Sequence, residues 1–175
     1  NTEGVGAVEQ RDLVRNALRM RPDRILVGEV RGAEALDMLQ AMNSGHEGSL
    51  STIHANDTRE ALARLEMMAA MAGFNLPVPV VRQYIAAGIR LIIHVARLKS
   101  GRRKVVRISE IIGVEDGEFV VEDVFRFDRN DSAAVGVAEG AFKSTGYLPR
   151  CRSRMKAAGV DVSDCWFSSS TQATE

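Results

Sequence analysis

A short aliphatic run that breaks into glycine and a carboxylate sets the tightest limit on how this chain can fold. Ile25, Leu26 and Val27, between Arg24 and Gly28-Glu29, have the length and branching of a strand buried on both faces in a parallel sheet. A helical period follows from Ala33, with Leu36, Leu39 and Ala41 leading to the stop signal Ser44-Gly45. The same order then repeats. Leu50 to Ile53 reads as a second strand, Ala55-Asn56-Asp57 as a turn, and Asp57 with Glu60 as a capping box opening a helix that reaches Met71. Gly73 closes that helix as a left-handed cap. Strand, turn and helix in alternation predict an α/β fold with a parallel sheet.

The flanks complete the layout. Gln10 to Arg21 carries Leu13, Val14, Ala17 and Leu18 on one stripe and Arg11, Arg15 and Arg19 on another, a helix that Pro22 ends. After Pro77 and Pro79, the recurrence of Val81, Ile85 and Ile89 predicts one more helix. From Leu91 the period becomes two, and loops at Ser100-Gly101 and Asp116-Gly117 divide the stretch to Phe127 into three antiparallel strands, a β-meander. Asn130 to Gly146 reads as a linker, Arg150 to Ala158 as a short helix, and Ser168 to Glu175 as a disordered polar tail. The expected division is therefore 1–128, 129–167 and 168–175.

Charge and cysteine content exclude several functions. Lys+Arg and Asp+Glu each number 23, so no net field draws in nucleic acid or an anionic membrane. The basic stretch from Arg97 to Arg107 and the acidic stretch from Glu115 to Asp123 are expected to pair across neighbouring strands, since a nucleic-acid ribbon would need interleaved aromatics. No apolar run approaches the roughly 20 residues that cross a bilayer. Cys151 and Cys165 form no CxxC pair, which fits a reducing cytosol and provides neither a disulfide framework nor a thiolate zinc cage.

Two groups could carry chemistry. Glu29 stands at the carboxyl end of the first strand and His54 just past the end of the second, and in a parallel sheet both tips open on one crevice. The alternatives are a solvated carboxylate and a hydrogen-bonded structural histidine. A metallohydrolase would need Glu29, His46 and His54 to meet on one ion, although the spacing of the two histidines matches no compact zinc pattern.

The strings LRMRPDRILVGEVRGAEALDMLQAMNSG and GSLSTIHAN resemble the secretion ATPases that drive type II secretion, type IV pili and type IV secretion. The wording is most similar to the CpaF/TadA branch, the tight-adherence (Flp) pilus assembly ATPase. The likeness extends through Gly146-Tyr147-Leu148-Pro149 to Phe167. It implies a RecA-like P-loop NTPase half-domain followed by the meander and a short helical appendage. It implies that Glu29 is the Walker B glutamate that orients or deprotonates water, and that His54 belongs to the His box facing the γ-phosphate. Arg15 and Arg19 match arginines that neutralise phosphate or bridge subunits, against the alternative of a solvated helix face; Arg11, Arg21, Arg24 and Arg31 carry less of the pattern. ATP and magnesium are implied, with no direct ligand for the metal in this chain because Gly28 occupies the position of the usual metal-binding aspartate, so the ion is expected to lean on the P-loop hydroxyl, phosphate oxygens and water near Glu29. A homohexamer on an inner-membrane platform is implied, cytoplasmic and peripheral, with no direct membrane insertion and no nucleic-acid partner. No GxxxxGK[ST] occurs in the chain, and it begins at Asn1, so the expectation is the C-terminal half of a motor, inactive alone. The alternative is a non-catalytic half-domain that docks on a full-length ring.

Overall fold

The computed structural model describes residues 6–73, 75–98, 101–129 and 140–169. Contacts group the chain into two units, one of Asn1–Ile89 with Gly113–Phe119, the other of Arg90–Ile112 with Val120–Glu175.

In the first unit the order is α1 (Gln10–Arg19), β1 (Leu26–Val27), α2 (Glu34–Asn43), β2 (Leu50–Ser51), α3 (Thr58–Ala70) and α4 (Val78–Gly88). β1 and β2 pair in parallel, Leu26 opposite Leu50 and Val27 opposite Ser51. The pair is shorter than expected and buried on one face only: Val27 lies in the core while Leu26 is exposed, so the expectation of a strand covered on both sides is corrected. Helix α2 packs against α1, α3 and α4, and its Leu39, with Leu62 of α3 and Ile85 of α4, is almost wholly buried.

Local chemistry explains the helix limits. α1 stops before Arg21, which takes a left-handed conformation (φ 52°), because a residue preceding proline is hindered from continuing a right-handed helix. At α3, the Asp57 carboxylate accepts from the Glu60 amide at 2.8 Å, while the Glu60 carboxylate accepts from the Asn56 amide at 2.9 Å. Orphan amides at the helix start are thereby satisfied. Gly73 adopts φ 79°, as expected of a left-handed cap.

The second unit holds most of a four-stranded sheet, ordered β3 (Leu91–Arg97), β4 (Arg103–Glu115), β5 (Glu118–Arg129) and β6 (Gly140–Ser144). β3 and β4 run antiparallel with a bulge between His94 and Val95. The expected linker is corrected at β6, which pairs antiparallel with β5, Phe127 opposite Phe142. Gly140–Ser144 holds a single large apolar residue and so shows no alternation, and its anchor is a distant ring: Phe142 stacks on Phe125 with centroids 5.5 Å apart. Helix α5 (Cys151–Ala157) and a 3-10 turn (Asp164–Phe167) follow, and Val162 and Phe167 pack on Val124 beside Phe125 and Tyr147.

Cross-strand charge pairing forms at Arg107 and Asp123 (3.6 Å). At the basic end of the meander the contacts are of another kind: Arg97 donates to the Gly101 carbonyl and Lys104 lies over the Phe127 ring. The expected disordered tail lies, from residue 170 onward, outside the described residues. Among the described residues no helix is long and apolar enough to cross a membrane.

Candidate functional site

The parallel pairing of β1 and β2 sends both chains out of the sheet on the same side. The Val30 amide donates to the Thr52 carbonyl at 3.0 Å, which keeps the two exits together, and the Gln10 side chain of α1 donates to the Glu29 carbonyl at 2.7 Å. Glu29 and His54 consequently converge. His54 Nε2 lies 3.0 Å from Glu29 Oε1, and Arg31 Nη2 lies 2.7 Å from Glu29 Oε2. Both carboxylate oxygens are engaged.

Exposure differs sharply among the three. The Glu29 side chain is 24% exposed, whereas Arg31 and His54 are 76% and 82% exposed. The Arg31 guanidinium, bonded to Glu29, holds its carboxyl below the usual carboxylate range, with the nearby His54 acting in the same direction. The same pairing pushes the Arg31 guanidinium upward. Around them is an open cleft of about 300 Å³, lined also by Val30, Ile53, Arg64, Met67 and Met68. Arg64, from α3, donates to the His54 carbonyl and so holds the loop that carries the imidazole.

The other sequence candidates lie elsewhere. Arg15 Nε is 3.0 Å from Asp37 Oδ1, Arg11 Nε is 2.7 Å from Asp37 Oδ2, and Asp37 is buried in α2. Arg19 is exposed in the last turn of α1. Neither Arg15 nor Arg19 lines the cleft. His46 also stands apart, its Nδ1 3.2 Å from the Ala41 carbonyl, so the three-residue metal arrangement is not assembled. Sequence reasoning ranked Arg31 low and passed over Arg64. The second had a detectable signal, since Glu60 and Arg64 are spaced for a pair on one helix face and lie 3.9 Å apart.

The cleft offers few protein donors to a magnesium ion. Among the described residues no three His, Cys, Asp or Glu side chains are grouped to hold a metal ion, and Glu29 is the one carboxylate lining the cleft. Magnesium usually keeps several waters and takes one or two carboxylates plus substrate phosphates. Glu29 would fit such an ion through a bound water, and the ion would supply charge neutralisation at a phosphate.

Strand tips bearing a carboxylate and an imidazole over one cleft define an α/β domain of the kind that takes ligands at the carboxyl edge of its sheet. The sequence profile described as Type II/IV secretion system protein matches residues 1–141, and the chain belongs to that family. A Mycobacterium tuberculosis protein named for conjugal transfer is 45% identical over 138 residues, covering 77% of this chain and 38% of that protein. The type IV secretion system protein PtlH of Bordetella pertussis is 44% identical over 113 residues, covering 61% and 33%. This chain thus spans 38% and 33% of their lengths. Among solved structures, the VirB11 ATPase of the Brucella suis type IV secretion system, in complex with sulphate, matches with TM-score 0.54 and 32% identity, over 58% of this chain and 31% of that one. The RecA-like fold class expected from the sequence is that of this relative. None of these three singles out the tight-adherence pilus branch.

Proposed function

We propose that this chain is the Walker B and His-box portion of an ATP-hydrolysing subunit that powers type II/IV secretion or pilus assembly. The observation that carries the reading is the meeting of Glu29 and His54 at the ends of two parallel strands. Phosphoryl transfer to water asks little of a protein beyond positioning and charge stabilisation. A carboxylate beside the phosphate supplies the first by accepting a hydrogen bond from the attacking water, and His54 holds that carboxylate from one side. ATP is the substrate and magnesium the companion ion. The working form is a homohexamer on the cytoplasmic face of the inner membrane, nucleotide lying between protomers, docked on a platform protein. Arg19, exposed in the last turn of α1, and Arg15, half-exposed while its Nε pairs with Asp37, are the cations offered to phosphate or to the neighbouring subunit.

The test uses a longer polypeptide that adds a GxxxxGK[ST] loop to this chain. Glu29→Gln keeps size and removes charge, so ATP binding should persist while turnover falls by about 10²- to 10⁴-fold. Single-turnover hydrolysis across a magnesium titration separates water orientation from metal support, because only a metal-support defect is rescued by excess magnesium. Undiminished turnover in the variant would remove Glu29 from catalysis.

A further inference from the structure

Glu29 is a weakened base in the arrangement described above. A carboxylate takes up the proton of an attacking water best when its charge is not already paired, yet Arg31 bonds Oε2 and His54 lies against Oε1. We propose that Arg31 is a latch on Glu29 that a polyphosphate opens: the anion draws the guanidinium off Oε2 and leaves that oxygen free for water. This rests on the ATPase reading given above.

Three observations and one chemical preference support it. Arg31 is among the most exposed members of the cleft, so its side chain can swing without uncovering a core. Its backbone is fixed, because Glu34 Oε1 accepts from the Arg31 amide at 2.6 Å and from the Gly32 amide at 3.0 Å. Motion is therefore confined to the long side chain. The cleft lining carries the guanidiniums of Arg31 and Arg64 against the single carboxylate of Glu29, a balance that draws in anions. Finally, a terminal phosphate offers a guanidinium the same forked geometry as a carboxylate, with more charge. The exchange keeps Arg31 paired, retains the Nε2–H bond of His54 to Oε1, and frees Oε2. Loss of the phosphate lets Arg31 return, so the availability of Glu29 follows occupancy of the phosphate site. The change is one of hydrogen-bond partners; no covalent bond forms or breaks.

Inorganic triphosphate tests this on the chain itself, with carbon-13 and nitrogen-15 spectra reporting the Glu29 carboxyl carbon and the Arg31 side-chain N–H. Saturating triphosphate should shift the Arg31 resonance and raise the pH at which Glu29 titrates towards its value in Arg31→Ala. Arg31→Lys, which keeps charge but loses the fork, should respond only in part. In a cycle of single and double variants, Glu29→Gln should tighten triphosphate binding in the parent chain and lose most of that gain in an Arg31→Ala background. Additive effects, binding that leaves the Glu29 carbon unmoved, or no binding would overturn the latch. Because these readouts need no turnover, failure of the latch and failure of the hydrolysis reading remain separate results.

Discussion

Glu110 joins two elements of the second unit. Buried in β4, it accepts from the Tyr147 hydroxyl at 2.7 Å, the Arg150 amide at 2.9 Å and the Cys151 amide at 3.3 Å. It thereby caps the start of α5 and ties that helix to the sheet. Burial first, then the hydrogen bond to Glu110, pushes the Tyr147 phenol from 10.0 up to about 12. A phenol raised on folding contributes stability that is complete below its unfolded value and is lost as pH climbs through the folded one. The alkaline loss should therefore fall between pH 10 and about 12. Tyr147→Phe is expected to cost about 1–3 kcal/mol at neutral pH and to flatten that loss, as measured by urea unfolding across the range. Equal alkaline slopes in parent and variant would count against the assignment. None of this is visible in the sequence, where Tyr147 reads only as part of a Gly-Tyr-Leu-Pro string, because its partner is 37 residues away.

At the level of elements, what was legible was local. Asp57 with Glu60 announces the start of α3, and Gly73 marks its far end, because capping chemistry acts within a few residues. The convergence of Glu29 and His54 was also legible, since strand polarity alone brings both ends of a parallel pair to one side. β6 and the buried Asp37 were not. Asp37 sits between Leu36 and Met38, where an acid on a helix reads as solvated, yet it holds Arg11 and Arg15 and so joins α1 to α2. Asp37→Asn keeps the shape and halves the acceptors. It should lower stability by about 1–3 kcal/mol and speed amide exchange in α1 more than in α3. Equal exchange in the two helices would show that the tether is not what holds α1.

At the scale of the whole molecule, the sequence indicated the parallel and antiparallel parts correctly but not how little sheet the parallel part contains. Each strand of that pair has two residues, whereas β4 has 13. Periodicity marks where a strand can form; its length depends on which neighbours pair with it. Leu26 and Leu50 stand side by side on the outward surface of the short pair, 73% and 63% exposed. Two adjacent leucines so exposed make the polypeptide greasy at one defined spot. Ammonium sulfate strengthens apolar burial by being excluded from protein surfaces, so it should precipitate the parent chain at lower concentration than a Leu26→Lys, Leu50→Lys variant. An environment-sensitive dye should brighten with the parent and stay dark with the variant, whose unfolding free energy should change by no more than about 0.5 kcal/mol per exposed position. Identical salting-out curves and dye signals would place the sticky spot elsewhere. If they differ as expected, the choice of two side chains on four residues of sheet governs how concentrated a solution of this chain can be made.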